Sequence, residues 1–161
     1  MSKISVLFVC LGNICRSPTA HAVFQDMVLA DNLEHKIHID SAGTGDWHLG
    51  LPPDKRAQKF ALERGFDMSE LRARLVVDKD FQRFDYILAM DHSNLSDLRA
   101  MQTQNSLCNL SLFLDYCSNP QFLDYKEVPD PYYGGDSGFN LVLDLVEDAA
   151  KGLLDHIKAR L

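Results

Sequence analysis

The stretch Ile4-Ser5-Val6-Leu7-Phe8-Val9-Cys10-Leu11-Gly12-Asn13-Ile14-Cys15-Arg16-Ser17-Pro18 decides the fold. Its first seven residues are almost continuously apolar, the pattern of a strand buried on both faces of a sheet. Lys3 ahead of this run gives it the look of a secretory leader. The run is short, however, and no small-residue cleavage pattern follows before Arg16, so a buried strand is the better reading. The chain then turns over residues 11–16. Beyond the turn, Ala20, Val23, Phe24, Met27 and Val28 recur at three- and four-residue spacing, which predicts a helix with one apolar face. Pro18 suits the first turn of that helix, where a missing N–H costs no hydrogen bond.

Working outward, strand and helix patterns keep alternating. Ile37 and Ile39, with polar neighbours, predict a second strand over 37–42. Residues 54–64 read as a helix that Gly65 ends. Tyr86 to Met90 is a third, buried strand, 93–101 a helix, and Leu110 to Leu114 a fourth strand. The proline- and glycine-rich segment from Asp115 to Gly138 predicts a long surface loop, a kind that is commonly functional. Val142, Leu145, Val146, Ala149, Leu153 and Ile157 mark a C-terminal amphipathic helix. No internal repeat or linker divides the chain, so residues 1–161 are read as one domain. The expected fold class is α/β: a four-stranded parallel sheet with helices on both faces and right-handed crossovers. In such sheets ligands bind beyond the carboxyl ends of the strands, which points to the turn after the first strand.

Of the 161 residues, 46% are hydrophobic and 24% charged, and the net charge is −7. A chain of this length buries roughly 68–70% of the surface it exposes when unfolded, and its composition excludes intrinsic disorder. The acidic balance argues against nucleic acid or an anionic membrane as partner, since either would require a basic stripe. No apolar stretch approaches the ~20 residues that span a bilayer, and the protein is expected to be cytoplasmic. Cys10, Cys15, Cys108 and Cys117 are then expected to be free thiols. Their spacings fit no zinc site, so neither a metal nor another cofactor is expected.

Each position of the turn has a use if the turn closes around a phosphate. A strand-to-helix turn aims backbone N–H groups inward, here those of Leu11, Gly12, Asn13, Ile14, Cys15, Arg16 and Ser17. The helix N-terminus adds about half a positive charge. Gly12 and Asn13 tolerate the left-handed backbone angles that such a nest requires. The planar fork of Arg16 matches two phosphate oxygens. Cys10 ends the strand and is aimed at the same centre, where a helix N-terminus and a cation favour a thiolate nucleophile. Ser17 can donate to that sulfur and stabilise it as a leaving group.

From Val9 to Pro18 the chain closely resembles the phosphate-binding signature of the low molecular weight protein tyrosine phosphatases, and the likeness extends over essentially the whole chain. Ser41-Ala42-Gly43 with Asp46-Trp47 resembles that family's segment beside the active site. Asp91 with Ser93-Asn94-Leu95 resembles its third-strand exit, and Asp130-Pro131-Tyr132-Tyr133-Gly134 its acid loop. The resemblance implies hydrolysis of phosphotyrosine in proteins or peptides, and of small aryl phosphates, through a phosphocysteine at Cys10. By sequence alone an Asp-Pro in a loop is a turn initiator. The resemblance instead makes Asp130, stiffened by Pro129 and Pro131, the general acid and later the base, with Asp136 a weaker candidate. It further implies Ser41 and Asp91 as supporting residues and Trp47 and Tyr132 as apolar walls, with Tyr133 beside them. Cys15 is implied as the redox partner of Cys10, while Cys108 and Cys117 are read as structural.

One departure stands out. Leu71 precedes Arg72-Ala73-Arg74 where many members carry a histidine that ties a serine and the loop asparagine into a hydrogen-bond network. Asn13 and Ser41 remain, and Leu71 predicts a looser loop and lower activity. Other functions are disfavoured on specific residues. An arsenate reductase of this fold needs further redox thiols, and none lies between Asp78 and Met101. A phosphoarginine phosphatase goes with a threonine where this chain has Ile14. A non-catalytic phosphoprotein-binding module would lack the nucleophile, arginine or acid, and Cys10, Arg16 and Asp130 are all present.

Overall fold

A computed structural model describes residues 3–103, 106–132 and 135–161. Four strands, β1 (Ile4–Cys10), β2 (Ile37–Gly43), β3 (Tyr86–Ala89) and β4 (Asn109–Leu112), form one sheet in the order β2-β1-β3-β4. Every pairing is parallel. The α/β fold, the strand count and the parallel sheet are as the sequence predicts.

β1 is central because its side chains supply both cores. Val6, Phe8 and Cys10 face a large cluster with Ala20, Val23 and Phe24 of α1 (Arg16–Ala30) and the buried stripe of α5 (Ser137–Lys158). Leu7 and Val9 face a second cluster with Phe81 of α3 (Asp80–Arg83) and Leu95 and Leu98 of α4 (His92–Met101). Alternation on a strand with both faces covered explains why the run is apolar throughout. The Phe8 ring meets Phe24 and Phe113 edge-on, at centroid distances of 5.7 and 5.1 Å. From β1 the chain passes first to β2 on one side and later to β3 on the other. The carboxyl end of β1 is therefore the topological switch point, where a crevice opens.

Helix α2 (Lys55–Glu63) is N-capped by Asp54, whose carboxylate accepts from the N–H groups of Arg56 and Ala57. Gly65 follows it at φ +88°, as predicted for its terminator. The fourth strand departs from expectation, and one short helix is unexpected. The fourth strand begins at Asn109 and its ladder ends at Leu112; Phe113–Tyr116 form a 3₁₀ turn. Phe113 and Leu114 are buried in that turn, so the apolar run reports burial there and not strand. Helix α3 has only four residues, too few for periodicity to reveal.

The end of β2 runs directly beneath the turn that follows β1. A Cβ on Gly43 would lie 2.7 Å from the carbonyl oxygen of Leu11 and 3.2 Å from Asn13, so only glycine fits. Gly43 also bonds to the passing chain, its N–H to the Arg74 carbonyl and its carbonyl to the N–H of Val76.

Candidate active site

The turn over residues 10–17 is buried except at Leu11 and Gly12. Its carbonyls face away from the centre: those of Cys10, Leu11, Ile14 and Cys15 accept the N–H groups of Thr44, Gly45, Asp54 and Thr19. Among the described residues, the N–H groups of Gly12, Ile14 and Cys15 pair with no backbone carbonyl. Helix α1 begins at Arg16 with no side-chain cap and no acid in its first turn. These donors and the positive end of the helix are left for an anion. Asn13 takes the left-handed conformation at φ 57°, whereas Gly12 does not. The expectation for Gly12 is therefore corrected: its backbone is not left-handed, and a Cβ there would meet the His48 ring at 2.9 Å and push that side chain aside.

Cys10 Sγ accepts the N–H of Asn13 at 3.3 Å and lies 3.0 Å from Ser17 Oγ. Asn13 Nδ2 donates to that same hydroxyl at 2.8 Å. Arg16 is almost fully buried. Its Nη1 donates to Asp91 Oδ2 at 2.6 Å and to the carbonyl of Val128 at 3.1 Å, and its Nη2 lies 3.5 Å from Asp130 Oδ2. Burial alone would lower its pKa, but the Cys10 sulfur and the Asp91 and Asp130 carboxylates outweigh burial and raise it. Asp91 also caps α4 by accepting from the N–H of Asn94. One carboxylate thus orients both the guanidinium and a helix.

A cavity of about 310 Å³ opens above the sulfur. Cys10, Leu11, Gly12, Ile14, Cys15 and Arg16 form its floor and sides, and Trp47, His48, Asp130 and Tyr132 its rim. Trp47 is 69% exposed, an unusual state for tryptophan unless something covers it. The Tyr132 N–H bonds to Asp130 Oδ1 at 3.0 Å, and Arg56 donates to the Tyr132 carbonyl at 2.7 Å. Asp136 does not line the cavity. Tyr133 lies outside the described residues.

Burial, reinforced by Asp54, Cys10 and Asp130 and opposed by Arg56, pushes the Cys15 thiol well up. Burial likewise raises Cys108, and it takes Cys117 up to about 12. Sequence reasoning missed two contributors. His48 joins the rim. His21, one helical turn after Ser17, is buried with Nδ1 3.2 Å from Ser41 Oγ. Burial pushes its pKa down to about 4, with His38 adding and Asp40 opposing, so its ring is neutral at pH 7. Ser41 therefore has an imidazole partner although Leu71 is no histidine. Asn13 is also held at both ends of its amide, its Oδ1 accepting the Arg74 N–H at 3.0 Å. These are the bonds the structure gives Ser41 and Asn13 in the absence of a histidine at position 71.

A thiol, a guanidinium and inward-facing amides at the switch point of a parallel α/β sheet define a protein built to hold a tetrahedral oxyanion against a sulfur nucleophile. The sequence profile of low molecular weight phosphotyrosine protein phosphatases matches residues 5–161. A low molecular weight protein-tyrosine-phosphatase of Bacillus subtilis is 43% identical over 155 residues, covering 96% of each chain. A crystal structure of a protein tyrosine phosphatase from Entamoeba histolytica, with Hepes in the active site, superposes at a TM-score of 0.91. It is 39% identical, with 99% of this chain and 100% of that one covered. A Drosophila arginine phosphatase superposes at 0.87, with 35% identity over 95% of this chain and 97% of that one. The chain belongs to the family of low molecular weight phosphotyrosine protein phosphatases.

Proposed function

We propose that this chain hydrolyses phosphotyrosine in proteins or peptides, and small aryl phosphates, with Cys10 as nucleophile and Asp130 as acid and base. The observation that carries the reading is that the Cys10 sulfur, the Arg16 guanidinium and the Asp130 carboxylate border one cavity. In the first step Cys10 Sγ forms a bond to phosphorus while the phosphorus–aryl oxygen bond breaks, and Asp130 protonates the departing oxygen. Arg16 Nη2 and the inward amides take the charge of the equatorial oxygens, a role in which preorganised donors count most. In the second step Asp130 removes a proton from water, the water oxygen bonds to phosphorus, and the sulfur leaves. The Asn13 N–H and Ser17 Oγ, both already directed at the sulfur, take up its charge. Trp47 and Tyr132 grip the phenyl ring, Tyr133 belongs to the same wall, and Asp91 and Ser41 support the floor.

Ile14, buried and apolar at the cavity wall, suits an aryl ester better than a guanidino phosphate. The likeness to the Drosophila arginine phosphatase makes phosphoarginine the competing substrate. The reading also places the enzyme in the cytosol, since the four cysteines are separate thiols and a thiol nucleophile must stay reduced. No helix among the described residues is long and apolar enough to cross a membrane. Peroxide would oxidise Cys10 to a sulfenic acid; the Cys15 thiol then condenses with it, forming the disulfide and releasing water.

The test is p-nitrophenyl phosphate hydrolysis without added metal. Cys10→Ser is expected to abolish turnover, and Asp130→Asn to lower kcat about 10²–10⁴-fold. Full activity in Cys10→Ser would refute the mechanism. Phosphoarginine turned over as well as a phosphotyrosine peptide would overturn the substrate.

A further inference from the structure

The phosphate loop has a back as well as a mouth. A line of hydrogen bonds runs through Asn13 from the back to the nucleophile. The Arg74 N–H donates to Asn13 Oδ1 at 3.0 Å, Asn13 Nδ2 donates to Ser17 Oγ at 2.8 Å, and that hydroxyl lies 3.0 Å from Cys10 Sγ. Asn13 sits in the left-handed region at φ 57°, which asparagine tolerates, and these bonds fix where its side-chain amide points. Arg74 is in turn clamped through its own side chain. Nη1 and Nη2 donate to the two oxygens of Asp80 at 3.0 and 3.2 Å, and Nε donates to Asp40 Oδ2 at 3.0 Å. Asp80 is 2% exposed and also accepts the Val77 N–H at 2.9 Å. None of Arg74, Asp80 or Asp40 lines the catalytic cavity. Leu71 packs against the core and offers no polar group.

We infer that Arg74, clamped by Asp80 and Asp40, is a positioning residue that fixes the Asn13 amide and through it aims Ser17 at Cys10, doing from the main chain what Leu71 does not do from a side chain. A guanidinium held on two sides cannot rotate without moving its own backbone, so the Arg74 N–H stays on Asn13 Oδ1. A bidentate arginine–carboxylate pair with one buried partner is suited to this task because its geometry is directional. A lysine would hold charge without direction.

The inference rests on Cys10 being the nucleophile, and its test separates the two. p-Nitrophenyl phosphate turnover and competitive inhibition by orthophosphate are measured for Asp80→Asn, Asn13→Ala and the double variant, at a temperature where circular dichroism shows each folded. Asp80→Asn is expected to lower kcat/KM about tenfold and to weaken orthophosphate inhibition in parallel. The double variant should match Asn13→Ala within about twofold, because coupled residues are non-additive. Effects that multiply, or wild-type values in folded Asp80→Asn, would overturn the inference. If Asp80→Asn does not fold, the half-exposed Asp40→Asn decides: a loss of about threefold should vanish in the Asn13→Ala background. Leu71→His is expected to leave kcat/KM within about twofold of wild type, and a tenfold rise would overturn the inference. A folded wild type without turnover would instead sink the proposed function.

Discussion

Residues 10–17 and residues 127–132 face each other across the same cavity and are held in opposite ways. In the first segment six side chains are buried and four carbonyls are tied outward. In the second only Val128 and Pro131 are buried. Val128 bonds through its N–H to the Met90 carbonyl and through its carbonyl to Arg16. The Asp130 side chain retains 35% of its exposure. An anion cradle gains from rigidity, since donors already in place need no reorganisation in the transition state. On the proposed mechanism Asp130 serves first a leaving group and then a water, and its segment is pinned at the root and exposed at the tip.

Three measurements would break or sharpen this contrast. The largest effect is expected from Arg16→Lys, which keeps the charge but loses the fork that serves Asp91, Val128 and the substrate at once. A fall in kcat of about 10²–10³-fold with weaker orthophosphate inhibition is expected. A loss below tenfold would show that charge alone organises the cradle.

The next effect concerns acid. The unfolded chain protonates His21 near the ordinary value, the folded chain only near 4. Acid therefore favours unfolding: the stability tied to the neutral ring is whole above about pH 6.5 and falls as pH drops toward 4, by roughly 3 kcal/mol. Thermal melts of wild type against His21→Gln should diverge in slope across that window. Parallel slopes would remove His21 as the cause.

The smallest effect is expected from Arg56→Met, which removes the bond to the Tyr132 carbonyl. kcat should fall about threefold with the melting temperature nearly unchanged, as for a partly exposed contact. A loss as large as that of Arg16→Lys would mean the acid segment is as tightly determined as the cradle.

What could be read in advance follows the same division. The strand, turn and helix of residues 4–30 were legible because the signals are local: an apolar run, a Cys and Arg at fixed spacing, and a 3.6-residue stripe. The acid segment was legible only through resemblance, since Asp130 between two prolines has the local signature of any turn. Arg74 contributes a main-chain N–H to Asn13, and no side-chain pattern announces such a role. His21 is one of several polar residues on α1, and its partner Ser41 lies on another element, so only tertiary pairing reveals it. At Phe113 and Leu114 hydrophobicity was read as strand because burial in a 3₁₀ turn leaves the same trace.

The bare start of helix α1 has a consequence for the life of the protein. On the proposed mechanism the anion that completes this uncapped helix start is phosphate, so orthophosphate, the product, would also be a structural complement of the native state. By mass action an anion present at ten times its dissociation constant adds about 1.4 kcal/mol to stability. Depletion of phosphate would then free the catalyst from product inhibition and, at the same moment, shorten the survival of its fold.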